Sequence, residues 1–173
     1  MAYVEADGVL RDPDWLSANA AKVTRLRASG RDLVELPPAL PICNFFRLFA
    51  APQVGALPDL PAATHVHVSG CPSLPFLASR PSSQGNIFAA VHARGAWKIC
   101  VGTKAIGIGG LRVRWGAGTN PRKPDGNAEA LRIAEEVWRS VLRAHPEAAA
   151  DEIDDSDAFY RSPFEVAMSF GLF

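Results

Sequence analysis

The chain has 173 residues, with 18 Lys plus Arg against 18 Asp plus Glu; it fits one domain of ordinary size and carries no overall pull toward nucleic acid or membrane. Hydrophobic residues at 48% and charged residues at 21% exclude disordered and collagen-like classes. Three cysteines, Cys43, Cys71 and Cys100, are an odd number in a chain large enough to fold without staples, which points to free thiols in a reducing compartment.

Asp12 caps a helix with Pro13 in its first turn, and Leu16, Ala20, Val23 and Leu26 follow at helical spacing until Gly30, which predicts a helix over 13–29. RDLVELPP reads as a short strand, and the apolar run ICNFFRLFA, set among prolines, reads as a short helix. From Thr64 the pattern changes to short β-rich runs, THVHVSG, NIFAAVHA, AWKICVG and GLRVRWG, with Arg94-Gly95 as the turn of a hairpin. The loop CPSLPFLASRPSSQG is too rich in proline and serine for a regular element through most of its length. After GAGTNPRKPDG, a helix capped at Asp125 or Asn127 carries Leu131, Ala134, Val137, Trp138, Val141 and Leu142 on one stripe and stops at His145-Pro146. Ser162-Pro163-Phe164-Glu165 is a capping box before a last short helix. No internal repeat and no domain boundary are read. The order of elements predicts a single α+β domain over 1–173, a mixed or antiparallel sheet with flanking helices.

No segment approaches the ~18 uninterrupted apolar residues of a membrane span. The start MAYVEADGVLRDPDW lacks the basic and apolar regions of a signal peptide. The expectation is a cytoplasmic protein, or one injected into a target cell without a cleaved signal. Between Asp59 and Asp125 there is no acidic residue, while Arg80, Arg94, Lys98, Lys104, Arg112, Arg114, Arg122 and Lys123 fall inside. From Glu147 to Asp157 the balance reverses. Both runs read as a solvated surface of uneven sign, or as a basic rim for an acidic partner.

Phosphate-loop, dinucleotide, HExxH and CxxC patterns are absent, and no cofactor is expected. What remains is the cluster Thr64-His65-Val66-His67-Val68-Ser69-Gly70-Cys71, with His92 at the end of the next strand. Alternation sets His65 and His67 on one face and Val66 and Val68 on the other, and Gly70 lets the backbone leave the strand just before the sulfur. Three readings stay open. Cys71 and His92 form a nucleophile and its proton partner; His65, His67, Cys71 and His92 form a zinc set; or Cys71 is a small buried hydrophobe and the histidines are hydrogen-bonded residues.

Val68-Ser69-Gly70-Cys71, followed by a loop and a strand ending in Val91-His92, resembles the Ser-Gly-Cys and His signature of the glutamine deamidase toxins, the cytotoxic necrotizing factors and the Burkholderia lethal factor, with the chemotaxis receptor deamidase as a more distant relation. The resemblance covers about residues 64–93 and implies a deamidase-like core over 60–145. It implies an α/β domain with a mixed sheet in which Cys71 attacks a glutamine carboxamide of a target protein and His92 moves the proton. Thr64 or His65 would be the third member, and Ser69 and Gly70 would support the oxyanion. On this expectation the protein is a bacterial toxin or effector that hydrolyses glutamine to glutamate through a thioester. The alternative is a non-catalytic module whose basic 80–123 interval, with Trp97 and Trp115, binds an acidic protein or, less in keeping with the charge, nucleic acid.

Overall fold

The computed structural model describes residues 1–79, 87–118 and 127–153. Two sheets and a set of helices build a mixed α+β structure, as the order of elements predicts. The first sheet holds strands β1 (Tyr3–Ala6), β2 (Val9–Arg11), β3 (Arg25–Ser29), β4 (Phe45–Phe49) and β5 (His65–Ser69) in the order β2-β1-β3-β4-β5. The second holds β6 (Leu77–Ser79), β7 (Ile87–Ala93), β8 (Ala96–Val101) and β9 (Lys104–Ile106) in sequential antiparallel order. Helix α1 (Pro13–Asn19) crosses from β2 toward β3, and α2 (Ile108–Trp115) and α3 (Ala128–Ala144) cover the second sheet. A 3-10 segment, Pro146–Ile153, follows α3.

The first sheet is a short repeat. Arg25 pairs with Phe45 and Phe45 with His65 in parallel strands, a step of 20 residues each time. The turns repeat with the strands: the N–H groups of Val23, Cys43 and Ala63 donate to the carbonyls of Ala20, Leu40 and Leu60 at 3.4, 3.3 and 3.2 Å. Positive φ recurs at the strand ends, at Gly30, Ala50 and Gly70. One strand per 20 residues, with apolar side chains at the first, fourth and sixth positions of Val23-x-x-Leu26-x-Ala28, Cys43-x-x-Phe46-x-Leu48 and Ala63-x-x-Val66-x-Val68, makes three equivalent units. Such units stack because none buries its apolar face alone.

This repeat corrects several expectations. The helix over 13–29 ends at Asn19, and its second half is β3. ICNFFRLFA holds β4 rather than a helix, and RDLVELPP forms no strand. The physical reason is packing: Leu26, Phe46, Leu48, Val66 and Val68 are each at most 4% exposed. Each such side chain contributes about 1.5–3 kcal/mol on burial, which outweighs helix propensity differences of at most ~0.7 kcal/mol per residue. GLRVRWG is also corrected, since it lies in α2, where Ile108 and Leu111 are buried together against α3 while Val113 is 40% exposed. A strand would have put Val113 beside Leu111 on one face.

The open edges are closed locally. Asp7 and Gly8, both at positive φ, turn β1 into β2, and β1 lies antiparallel on β3. The Asp7 carboxylate accepts from the backbone N–H of Arg25 at 3.0 Å and from the Thr24 hydroxyl. At the other end, the turn between β8 and β9 covers β5: Val66 N–H donates to the Thr103 carbonyl and His67 Nδ1–H to the Gly102 carbonyl, both at 3.0 Å. The expected Arg94-Gly95 hairpin joins β7 and β8. Asn127 caps α3 as expected, accepting from Ala130 N–H at 3.2 Å. The Ser162 capping box lies outside the described residues.

Candidate functional site

The expected catalytic residues fall into separate environments. Cys71 occupies the ninth position of the third unit, which Ala51 holds in the second, just after the turn that ends β5. It is fully buried, and its thiol donates to the Ser69 carbonyl at 3.2 Å. Burial pushes the thiol pKa up, partly opposed by the Ala51 N–H beside it; a nucleophilic cysteine needs the reverse. Gly70 adopts φ +61° because the chain turns there against Ala50, so the glycine before the sulfur serves the repeat. The Ser69 carbonyl accepts from Ala50 N–H as well as from the thiol, and the Thr64 hydroxyl donates to the Asn44 carbonyl at 3.3 Å.

His92 belongs to a different neighbourhood. Alternation along β7 sends Ala89, Val91 and Ala93 into the core that contains Cys71, while Phe88 and Ala90, of the same parity as His92, face α3. His92 Nδ1 lies 2.8 Å from an Asp59 carboxylate oxygen, and among the described residues no hydrogen bond joins it to Cys71. His65 and His67 lie on the outer face of β5, away from the buried sulfur. The zinc expectation is corrected accordingly: among the described residues no group of three or more His, Cys, Asp or Glu side chains is gathered closely enough to hold a metal ion.

The basic 80–123 interval does not form one surface among the described residues. Arg94 donates to the carbonyls of Ala63 and Ala105 at 2.6 and 2.8 Å, Lys98 is 2% exposed, and Arg112 forks onto Glu135 at 2.6 and 2.9 Å with Glu152 at 3.6 Å. Trp115 stacks on Phe88. The start of the acidic run is also structural, because Asp151 accepts from Trp97 N–H and Glu152 from Trp138 Nε1–H.

The repeat instead assembles a cationic face that reading the chain in order does not reveal. Odd-numbered residues of β3, β4 and β5 point outward in three registered rows: Arg25, Phe45 and His65; Arg27, Arg47 and His67; Ser29, Phe49 and Ser69. His65 stacks on Phe45 with ring centroids 4.2 Å apart, and the Arg25 guanidinium sits 4.5 Å from the same ring. Arg47 lies 5.2 Å from the Phe49 ring. Among the described residues no carboxylate comes within ion-pair distance of Arg25, Arg27 or Arg47. The His65 pKa is lowered by partial burial and then by the positive field of His67, Arg47, Arg25 and Arg27. A hollow of about 240 Å³ bounded by Glu5, Gly8, Arg25, Arg27 and Phe45 opens at the edge of this face.

The signal that locates this face in the sequence is the 20-residue recurrence of Leu26, Phe46 and Val66, which fixes the parity of every residue between them. Comparison of the chain with known protein families, with curated proteins and with solved structures finds no match.

Proposed function

We propose that the protein is a recognition module that binds an acidic, extended segment of a partner protein on the outer face of its short parallel repeat. The observation that carries this reading is the set of three guanidinium groups, Arg25, Arg27 and Arg47, held on adjacent strands against a single neighbouring carboxylate, Glu5, which stands opposite Arg27 in register but accepts from the Tyr3 hydroxyl and makes no ion pair with any of the three among the described residues. Neighbouring like charges on this surface repel by about 0.7 kcal/mol per pair at ~6 Å in a water-like dielectric. The fold carries that cost, and a bound anion relieves it. Arginine forks fit carboxylates bidentately, and the aromatic rings beneath them limit how far they swing. Arg25 and Arg27 are two steps apart on one strand, about 6.6 Å, which matches alternate side chains of an extended acidic segment.

The arrangement favours an acidic polypeptide over single-stranded nucleic acid. Nonspecific strand binders offer open aromatic faces for bases, whereas Phe45 is already flanked by His65 and Arg25 from the two adjoining strands. The deamidase expectation rests on the sequence resemblance alone. A glutamine in a target lysate that is deamidated by the wild type and not by Cys71→Ser is the result that would support it.

The test is fluorescence anisotropy with a labelled octaglutamate peptide, set against an octalysine peptide and a thymidine oligonucleotide. Octaglutamate binds, weakens steeply with salt, and loses about tenfold or more in affinity in the Arg27→Ala/Arg47→Ala double variant. Arg139→Ala, an exposed arginine of α3, leaves binding unchanged. Equal binding by the double variant refutes the reading, and tighter binding of the oligonucleotide through the same arginines replaces it with a nucleic-acid module.

A further inference from the structure

A second site lies between the repeat and the second sheet, lined by none of the arginines of the proposed face. It is a cleft of about 470 Å³ whose apolar walls include Leu57, Leu74, Phe76, Val91 and Trp97 and whose polar groups are Asp59, His92 and His145. That volume is within the range of small-molecule sites, which combine apolar walls with a few placed polar groups.

The polar groups are fixed by backbone on two sides. Asp59 N–H donates to the Pro38 carbonyl at 2.9 Å, Leu60 N–H to the His92 carbonyl at 3.0 Å, and Arg94 N–H to the Leu60 carbonyl at 3.2 Å, so the Asp59 turn is stitched to the end of β7. Asp59 then faces His92 Nδ1 at 2.8 Å. His145, at the end of α3, stacks on Trp97 with centroids 4.8 Å apart and turns its Nδ1 to Glu147 at 3.3 Å. A carboxylate accepts and cannot donate, so in each of these contacts the hydrogen sits on the imidazole Nδ1. The cleft therefore sets the Asp59 carboxylate beside aromatic rings, with Trp97 edge-on to His92 at 5.6 Å and Phe76 edge-on to Trp97 at 5.8 Å. An amine cation satisfies acceptors and is attracted by a carboxylate and by aromatic faces.

We infer that this cleft binds a small organic ammonium compound, its apolar body against Leu57, Leu74 and Phe76 and its charged nitrogen toward the Asp59 carboxylate. A neutral isostere lacks the charge term, and a carboxylate ligand meets the like charge of Asp59, so the ranking is a property of the site and not of hydrophobic filling alone.

Isothermal titration with three probes that share a phenyl body decides this: phenethylammonium, phenethyl alcohol and phenylpropionate. Phenethylammonium binds at least about tenfold more tightly than the alcohol, phenylpropionate does not bind, and Asp59→Asn removes the preference for the ammonium while the thermal midpoint reports that the fold persists. Trp97→Leu weakens the ammonium and the alcohol together. Equal binding of ammonium and alcohol, tighter binding of phenylpropionate, an unchanged preference in Asp59→Asn, or no binding of any probe at millimolar concentration overturns the assignment.

Discussion

Replacing Cys71 by serine separates a structural cysteine from a catalytic one. The side chain is fully buried at a repeat position, surrounded by the core that joins the two sheets. Serine keeps a donor for the Ser69 carbonyl, now 3.2 Å from the sulfur, but puts a hydroxyl into a site sized for sulfur. Burying a hydroxyl with incomplete compensation costs about 1–3 kcal/mol, and one retained hydrogen bond returns on the order of 1 kcal/mol. The net loss is therefore about 0–2 kcal/mol, a fall of at most roughly 8 °C in thermal midpoint for a chain of this size. Cys71→Ala removes the packing atom without adding a polar one and loses a similar amount. Scanning calorimetry measures both. Iodoacetamide adds the complementary reading: burial and the raised pKa slow alkylation of native Cys71 by on the order of 100-fold relative to the unfolded chain. A Cys71→Ser variant as stable as the wild type, together with rapid alkylation of Cys71 in the native state, refutes a structural role for this thiol.

Gly70→Ala tests the turn that ends each repeat strand: at φ +61° its Cβ would stand 3.1 Å from the Ala50 nitrogen, and left-handed strain of about 1–2 kcal/mol combines with backbone displacement. Gly95→Ala, at φ +79° with open space around it, incurs the strain alone, so an equal fall in urea midpoint for the two refutes the close contact at Gly70. His65 titrates lower in the fold than its ordinary value of 6.5 because of partial burial and then the charges of His67, Arg47, Arg25 and Arg27. Between those two values the unfolded chain holds the proton and the fold does not, so its share of stability is present above 6.5 and is lost as pH falls toward the lowered value. Urea unfolding of wild type and His65→Phe across that interval should show the slope in the wild type alone. Octaglutamate, by favouring the charged imidazole, should bind more tightly over the same fall in pH; a flat profile shows that His65 does not face the peptide.

Much of the chain was legible one segment at a time. The Arg94-Gly95 hairpin follows from residues that tolerate positive φ, and α3 follows from a stripe of Ala134, Val137, Trp138 and Val141 between an Asn127 cap and the His145-Pro146 stop. These signals are local because the hydrogen bonds that define them close within a few residues. The repeat is different in kind. Each of β3, β4 and β5 is five residues long and forms no bond within itself, so Val23 to Leu26 reads equally as helix or strand until Phe46 arrives in register beside Leu26. The same holds for the functional groups. Sequence brought His65, His67 and Cys71 together as neighbours in the chain, but β5 ends at Ser69 and the positive-φ turn at Gly70 carries Cys71 into the core while His65 and His67 stay on the outer face. Arg47 lies 20 residues from Arg27 in sequence and joins Arg25 and Arg27 on one face only because β3 and β4 pair in parallel at that step. His92 likewise acquires its partner, Asp59, from a turn 33 positions earlier in the chain. Composition and local pattern determine which segments bury an apolar side. Which side chains then meet on the opposite side is decided by register, and register is set only when the strands stack.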